Sequence, residues 1–181
     1  MGANLLVYTV SCDNEFKQDQ SSLTSRWKTE KLWRDFRQEI INAIHSKDDG
    51  KLQNLLSRKH FLLTAHSNTV YSKKVDLVDL RGIELKNLNF QNFDMTYCCF
   101  DYSQLCNIEF NKTSLQYSSF NHATLKKVKF SHVQASPISA THTKLEDVTF
   151  EQGFFMGSDF RNSNFIRGTG KEIPNSQPSL F

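Results

Sequence analysis

The chain has 181 residues, with 22 Lys and Arg against 19 Asp and Glu and a net charge of +3. That length holds one domain, or one plus a small appendage, and the weak charge argues against nucleic-acid binding by bulk electrostatics. Four cysteines (Cys12, Cys98, Cys99 and Cys106) form neither a disulfide framework nor a CxxC metal spacing, so free thiols in a reducing, cytoplasmic compartment are expected.

In chain order, the start from Leu5 to Cys12 is apolar but lacks the basic leader of a signal segment, and residues 13–22 are polar and read as loose. A helix is expected from Ser25, as its cap, to His45. Leu32, Trp33, Phe36, Ile40, Ala43 and Ile44 make one apolar stripe at i, i+3, i+4 spacing. Glu30 with Arg34 and Lys31 with Asp35 give i,i+4 pairs outside that stripe. Asp48-Asp49-Gly50 ends the helix and caps a short one over 50–58, and Phe61-Leu62-Leu63 reads as a strand.

From Leu80 to Phe165 every fifth residue is apolar, and all but Ala135 and Ala140 of these eighteen are Leu, Phe or Met. The position two before each centre, from Val78 to Ser163, is never charged. Two positions of each five therefore point inward and three outward. No pentapeptide can bury its own apolar side, so the repeats must stack. Ala135 and Ala140 flank Pro137, where the core should thin.

This register resembles the pentapeptide-repeat family over about residues 68–167. The resemblance implies a mainly β solenoid: a short right-handed quadrilateral β-helix with four fives to each twenty-residue coil, behind an N-terminal α-helical cap. Stepping by twenty then stacks Leu85, Leu105, Leu125 and Leu145 on one face and Phe90, Phe110, Phe130 and Phe150 on the next. The organisation expected is a leader and helical cap over 1–67, the β-helix over 68–167, and a polar tail over 168–181 ending in Leu180-Phe181.

No P-loop, GxGxxG, HExxH or GxSxG motif is present, and no acid, base and nucleophile converge, so no catalytic residue, cofactor or metal is expected. His122 and His142 should stack one coil apart below Tyr102, as a polar ladder without a third metal ligand. Lys126 and Lys129 should pair with Glu146 and Glu109 on neighbouring coils. Cys98 should face inward and Cys99 and Cys106 outward. Phe154 and Met156 break the outward rule, and Tyr97 and Tyr117 form an outward aromatic stack. These four are candidate contacts for a protein partner, with Trp27 and Trp33 as helical anchors if the helices bind one.

The function expected is a non-catalytic protein–protein interaction or scaffold module without membrane insertion. The family resemblance extends it to bacterial regulatory partners and to effectors delivered into host cells. The alternative from the same resemblance is a topoisomerase-protecting protein that mimics duplex DNA on gyrase and confers quinolone or toxin resistance.

Overall fold

The computed structural model describes residues 19–66 and 74–171. The leader with Cys12, the first-coil position Val70 and the tail beyond Lys171 lie outside the described residues. Three helices come first: α1 over Gln20–Thr29, α2 over Lys31–His45 and α3 over Asp49–Leu56. A 3-10 turn over Lys59–Phe61 leads into β1, Leu62–His66. The strands that follow are β2 (Lys74–Asp79), β3 (Glu84–Gln91), β4 (Cys98–Cys99), β5 (Gln104–Asn111) and β6 (Thr124–Ser131). β7 (Lys144–Glu146), β8 (Thr149–Glu151), β9 (Asn164–Ile166) and β10 (Thr169–Lys171) complete the chain order.

Every parallel pairing is offset by twenty residues. Leu85 pairs with Leu105, Leu105 with Leu125, and Leu125 with Leu145; Phe90, Phe110, Phe130 and Phe150 pair likewise. The Phe rings stack, with centroids 4.9 to 5.3 Å apart. Rungs of a parallel sheet lie roughly 4.8 Å apart, so identical rings meet at nearly their closest comfortable spacing. This is the quadrilateral β-helix that the family resemblance implies. Strand pairing runs on to Lys171 through β10 on β8, past the expected boundary at 167.

The corners fall two residues after each centre. Asn87, Asn92, Tyr97, Tyr102, Asn107, Lys112, Tyr117 and His122 all have φ between 53° and 61°. Left-handed backbone at a non-glycine residue is uncommon, and here it recurs because each corner must turn the chain sharply. Pro137 stands at a corner where its ring fixes φ negative, and the Ser136–Pro137 peptide is cis.

The core narrows at Ala135 and Ala140, both buried, and Phe155 fills in beside the first. Its ring meets Phe130 edge-on at 6.1 Å. Gly153 makes room for it, since a Cβ there would stand 2.5 Å from the Phe155 ring and 2.9 Å from Val133. A small centre is thus offset by a leaning neighbour rather than left as a void.

The helical region differs from its expected form. One helix from Ser25 becomes two, broken at Glu30, which is extended (φ −88°, ψ 121°). Ser25 is no cap. It lies inside α1, and its hydroxyl donates to the Ser22 carbonyl. The break turns α1 against the first coil, where the Arg26 guanidinium donates two 2.8 Å hydrogen bonds to Asp79. The Trp27 indole N–H donates to the Arg81 carbonyl at 2.8 Å. Gly82, at φ +71°, lets the Leu23 backbone approach, since a Cβ there would lie 2.6 Å from it. At α3, Asp48 caps as expected, accepting from the Lys51 N–H.

β1 is the one antiparallel strand in the described residues, pairing Leu62 with Val78. It closes the sheet edge at the N-terminal end, and the helices cover the core there. That covering is what a solenoid end needs.

Candidate interaction face

The four sides of the rod differ in chemistry. The side centred on Leu85, Leu105, Leu125, Leu145 and Phe165 carries eight charges among the residues 83–87 and their repeats at twenty: Glu84, Lys86, Lys126, Lys127, Lys144, Glu146, Asp147 and Arg167. Lys126 pairs with Glu146 at 2.8 Å, as expected, and Arg167 with Asp147 at 3.1 Å. On the next side Lys129 pairs with Glu151 at 2.9 Å instead of with Glu109. Glu109 accepts from the Asn89 amide, so its carboxylate is already engaged one coil earlier. Hydrogen bonding to Glu146 raises the Lys126 ammonium above its ordinary value, and the same contact lowers Glu146.

The side centred on Leu80, Phe100, Phe120, Ala140 and Phe160 is polar and closed. The Asp101 carboxylate accepts from Ser119 and from the Asn121 N–H, and the Asn121 carbonyl accepts from Ser139 and from the Thr141 N–H. Cys99, placed outward by the register, is 1% exposed, because Leu63, Leu77 and Tyr97 pack round it. Cys98 is buried as expected, and burial pushes its thiol well up. At the corner of this side Tyr102, His122 and His142 stack with centroids 5.0 and 4.9 Å apart.

The third side, centred on Met95, Leu115, Ala135 and Phe155, is different. Its residues 93–97, 113–117, 133–137 and 153–157 contain one charge, Asp94. That residue sits under α3, its carbonyl accepting from Gln53 at 2.6 Å. Below it the surface is Thr, Ser, Gln, Tyr, Pro, Phe, Met and Gly. Tyr97 and Tyr117 stack at 5.0 Å with planes 11° apart. Phe154 is 54% exposed and Met156 61%, with Tyr117 also exposed. The four β-helix residues singled out in the sequence therefore share one side, their centres Met95, Leu115 and Phe155 differing by multiples of twenty.

The column holding the two tyrosines continues as Pro137 and Gly157. The Tyr117 N–H donates to the Pro137 carbonyl at 2.7 Å, and a Cβ on Gly157 would rest 3.8 Å from Pro137. The side chains shorten along this column, from two tyrosines to Pro137 and Gly157.

The helical anchors separate from this side. Trp27 is fully buried, held by Arg81 and by its edge contact with Trp33 at 5.0 Å, and Trp33 is half-buried under the Arg26 guanidinium at 3.7 Å. These tryptophans fasten the cap to the rod, and Trp27 has no surface to offer a partner. Leu32, expected in the buried stripe, is 54% exposed, since Trp33 takes the inward place in the first turn of α2.

No family model and no curated protein matches the chain. Among solved structures, a pentapeptide repeat protein from the thylakoid lumen of Arabidopsis thaliana is similar over 54% of this chain and 68% of its own, at a TM-score of 0.51 and 16% identity. This is the pentapeptide-repeat fold. QnrB1, a plasmid-mediated fluoroquinolone resistance protein, is 19% identical over 50% of this chain and 43% of its own, at a TM-score of 0.27. HetL, a pentapeptide repeat protein involved in heterocyst differentiation regulation in the cyanobacterium Nostoc sp. strain PCC 7120, is 18% identical over 44% of this chain and 40% of its own, at 0.23.

A pentapeptide-repeat rod of this kind has a filled interior, with Phe90, Phe110 and Phe130 at 0 to 1% exposure. Its chemistry lies on its sides. Among the described residues no group of three or more His, Cys, Asp or Glu could hold a metal, and no helix is long and apolar enough to cross a membrane.

Proposed function

We propose that this protein is a non-catalytic interaction module that presents its third side to a protein partner. One observation carries the reading. The side with a single charge also bears Tyr117, Phe154 and Met156, three of the four large exposed hydrophobics among the described residues of the β-helix. Interface centres are depleted in charge and enriched in Tyr, Phe and Met, while rims are polar. The sides that flank this strip, one with Lys129 and Glu151 and the other with Asp159 and Arg161, supply such a rim. The backbone behind it is a hydrogen-bonded ladder, so binding orders few residues and costs little conformational entropy.

Mimicry of duplex DNA needs a continuous negative column. On the charged sides each carboxylate column is interleaved with cations, as in Lys126–Glu146 and Lys129–Glu151, so the topoisomerase reading draws no support from the surface.

The test is comparative cross-linking in an extract of the source cells. The partner captured by the native chain should be lost with Phe154→Ser/Met156→Ser and retained with Lys127→Ala on the charged side. Equal capture by all three forms would remove the third side from consideration.

A further inference from the structure

We propose that the occupant of the third side is an uncharged, proline-rich segment in the polyproline II conformation, lying along the rod axis; this rests on the reading above. Charge sets the first limit. Between Tyr97 and Gly157 the strip has no ionisable group but the two phenols, so a charged ligand would lose its hydration and gain no partner.

Area sets the second. Four rungs at roughly 4.8 Å and a side of five residues enclose at most about 300 Å². A stable pair of globular surfaces buries about 800 Å² on each partner. The strip is too narrow for a second copy of the rod to dock stably, and suits a slender ligand.

Spacing sets the third. A polyproline II chain repeats every three residues at about 3.1 Å each, or about 9.3 Å. Two rungs of the solenoid span about 9.6 Å. Prolines at i and i+3 thus fall two coils apart. One ring can rest against Tyr117, and the next, two coils on, then falls beside Phe154 and Met156. A polyproline II backbone makes no internal hydrogen bonds, so its carbonyls need donors. The tyrosine hydroxyls and the amides of Gln116 and Gln134 are donors that this side carries. The ligand arrives already extended, which keeps the entropic cost of docking low.

The experiment is fluorescence anisotropy on the full chain with fluorescein-labelled deca-proline, against a labelled Gly-Ser decapeptide. Saturable binding of deca-proline is expected, at least tenfold tighter than Gly-Ser. Tyr117→Ser and Phe154→Ser should each weaken it at least tenfold, and Lys127→Ala should leave it unchanged. All these positions are exposed, so circular dichroism should show each variant folded, with only the small fall in melting midpoint that loss of the Tyr97–Tyr117 stack brings to Tyr117→Ser. Deca-proline binding no tighter than Gly-Ser, or binding equally to Tyr117→Ser, overturns the proposal. If deca-proline fails while cross-linked capture still depends on Phe154 and Met156, the third side is an interface for another chemistry. If both fail, the functional reading falls too. Sedimentation that shows a dimer abolished by Tyr117→Ser overturns the proposal in favour of a second copy.

Discussion

At the scale of single residues, packing is set by exchanges between neighbours one coil apart. Gly153 exists to admit the Phe155 ring beside Ala135. Gly153→Ala should overpack this spot and cost about 1–3 kcal/mol in urea denaturation. Asp79 is a second such point. Burial alone would raise its carboxyl, but hydrogen bonds and charge from Arg26 and Arg81 outweigh that and hold it below its ordinary value. Its contribution is therefore complete above the unfolded value near ~4 and is lost as pH falls through the lower folded value. Asp79→Ala leaves two guanidinium groups without their buried partner and should cost about 3–5 kcal/mol at pH 7. Asp79→Asn should shrink the difference between urea midpoints measured at pH 5 and pH 2.5; an unchanged difference would assign the acid sensitivity to other carboxylates. The inward positions were legible because a period of five admits one inside. The pairing of Arg26 with Asp79 was not, because a contact across 53 residues leaves no local trace in sequence.

At the scale of elements, the strands follow the register and the helices only partly follow theirs. The break at Glu30 sits in Thr29-Glu30-Lys31, where Glu and Lys are good helix formers, and nothing local ends the helix. Tertiary demand ends it, because Arg26 and Trp27 can reach Asp79 and Arg81 only if α1 turns away from α2. Asp48 was readable as a cap because Asp before a helical run accepts from the first-turn N–H groups whatever lies nearby. Asp48→Ala should lower stability by about 1 kcal/mol, read as a small fall in the thermal midpoint. Cys99 was misplaced for a related reason. The inward-outward rule describes one coil, while Leu63 and Leu77 bring a second layer over the outside of another. The candidate side was half legible. The sequence shows Tyr97, Tyr117, Phe154 and Met156 pointing out, but only stacking at twenty places them on one charge-poor side with Pro137 and Gly157.

At the scale of the whole molecule, each coil touches only the one before and the one after. Stability in such a rod is close to a sum of coil energies and coil–coil interfaces. Phe110 lies between Phe90 and Phe130, with stacking on both faces. Phe110→Ala should therefore cost about 3–5 kcal/mol. Phe165, 41% exposed at the last described coil, should matter far less. Amide exchange is expected to be slowest in β5 and β6 and to quicken towards β9 and β10. Uniform protection along the rod would show instead that it opens all at once.

The long closure between Arg26 and Asp79 also bears on synthesis. α1 leaves the ribosome well before the coil that receives it, and must wait for it. From β4 onward no strand waits, because each one's partner was made twenty residues earlier. At about 5–20 residues per second, a new coil emerges every ~1–4 s, onto a surface already in place. A nascent chain arrested with β6 clear of the exit tunnel should already protect the amides of β5. The rod is wound in the direction of translation, with the long delay of the Arg26–Asp79 closure at the start.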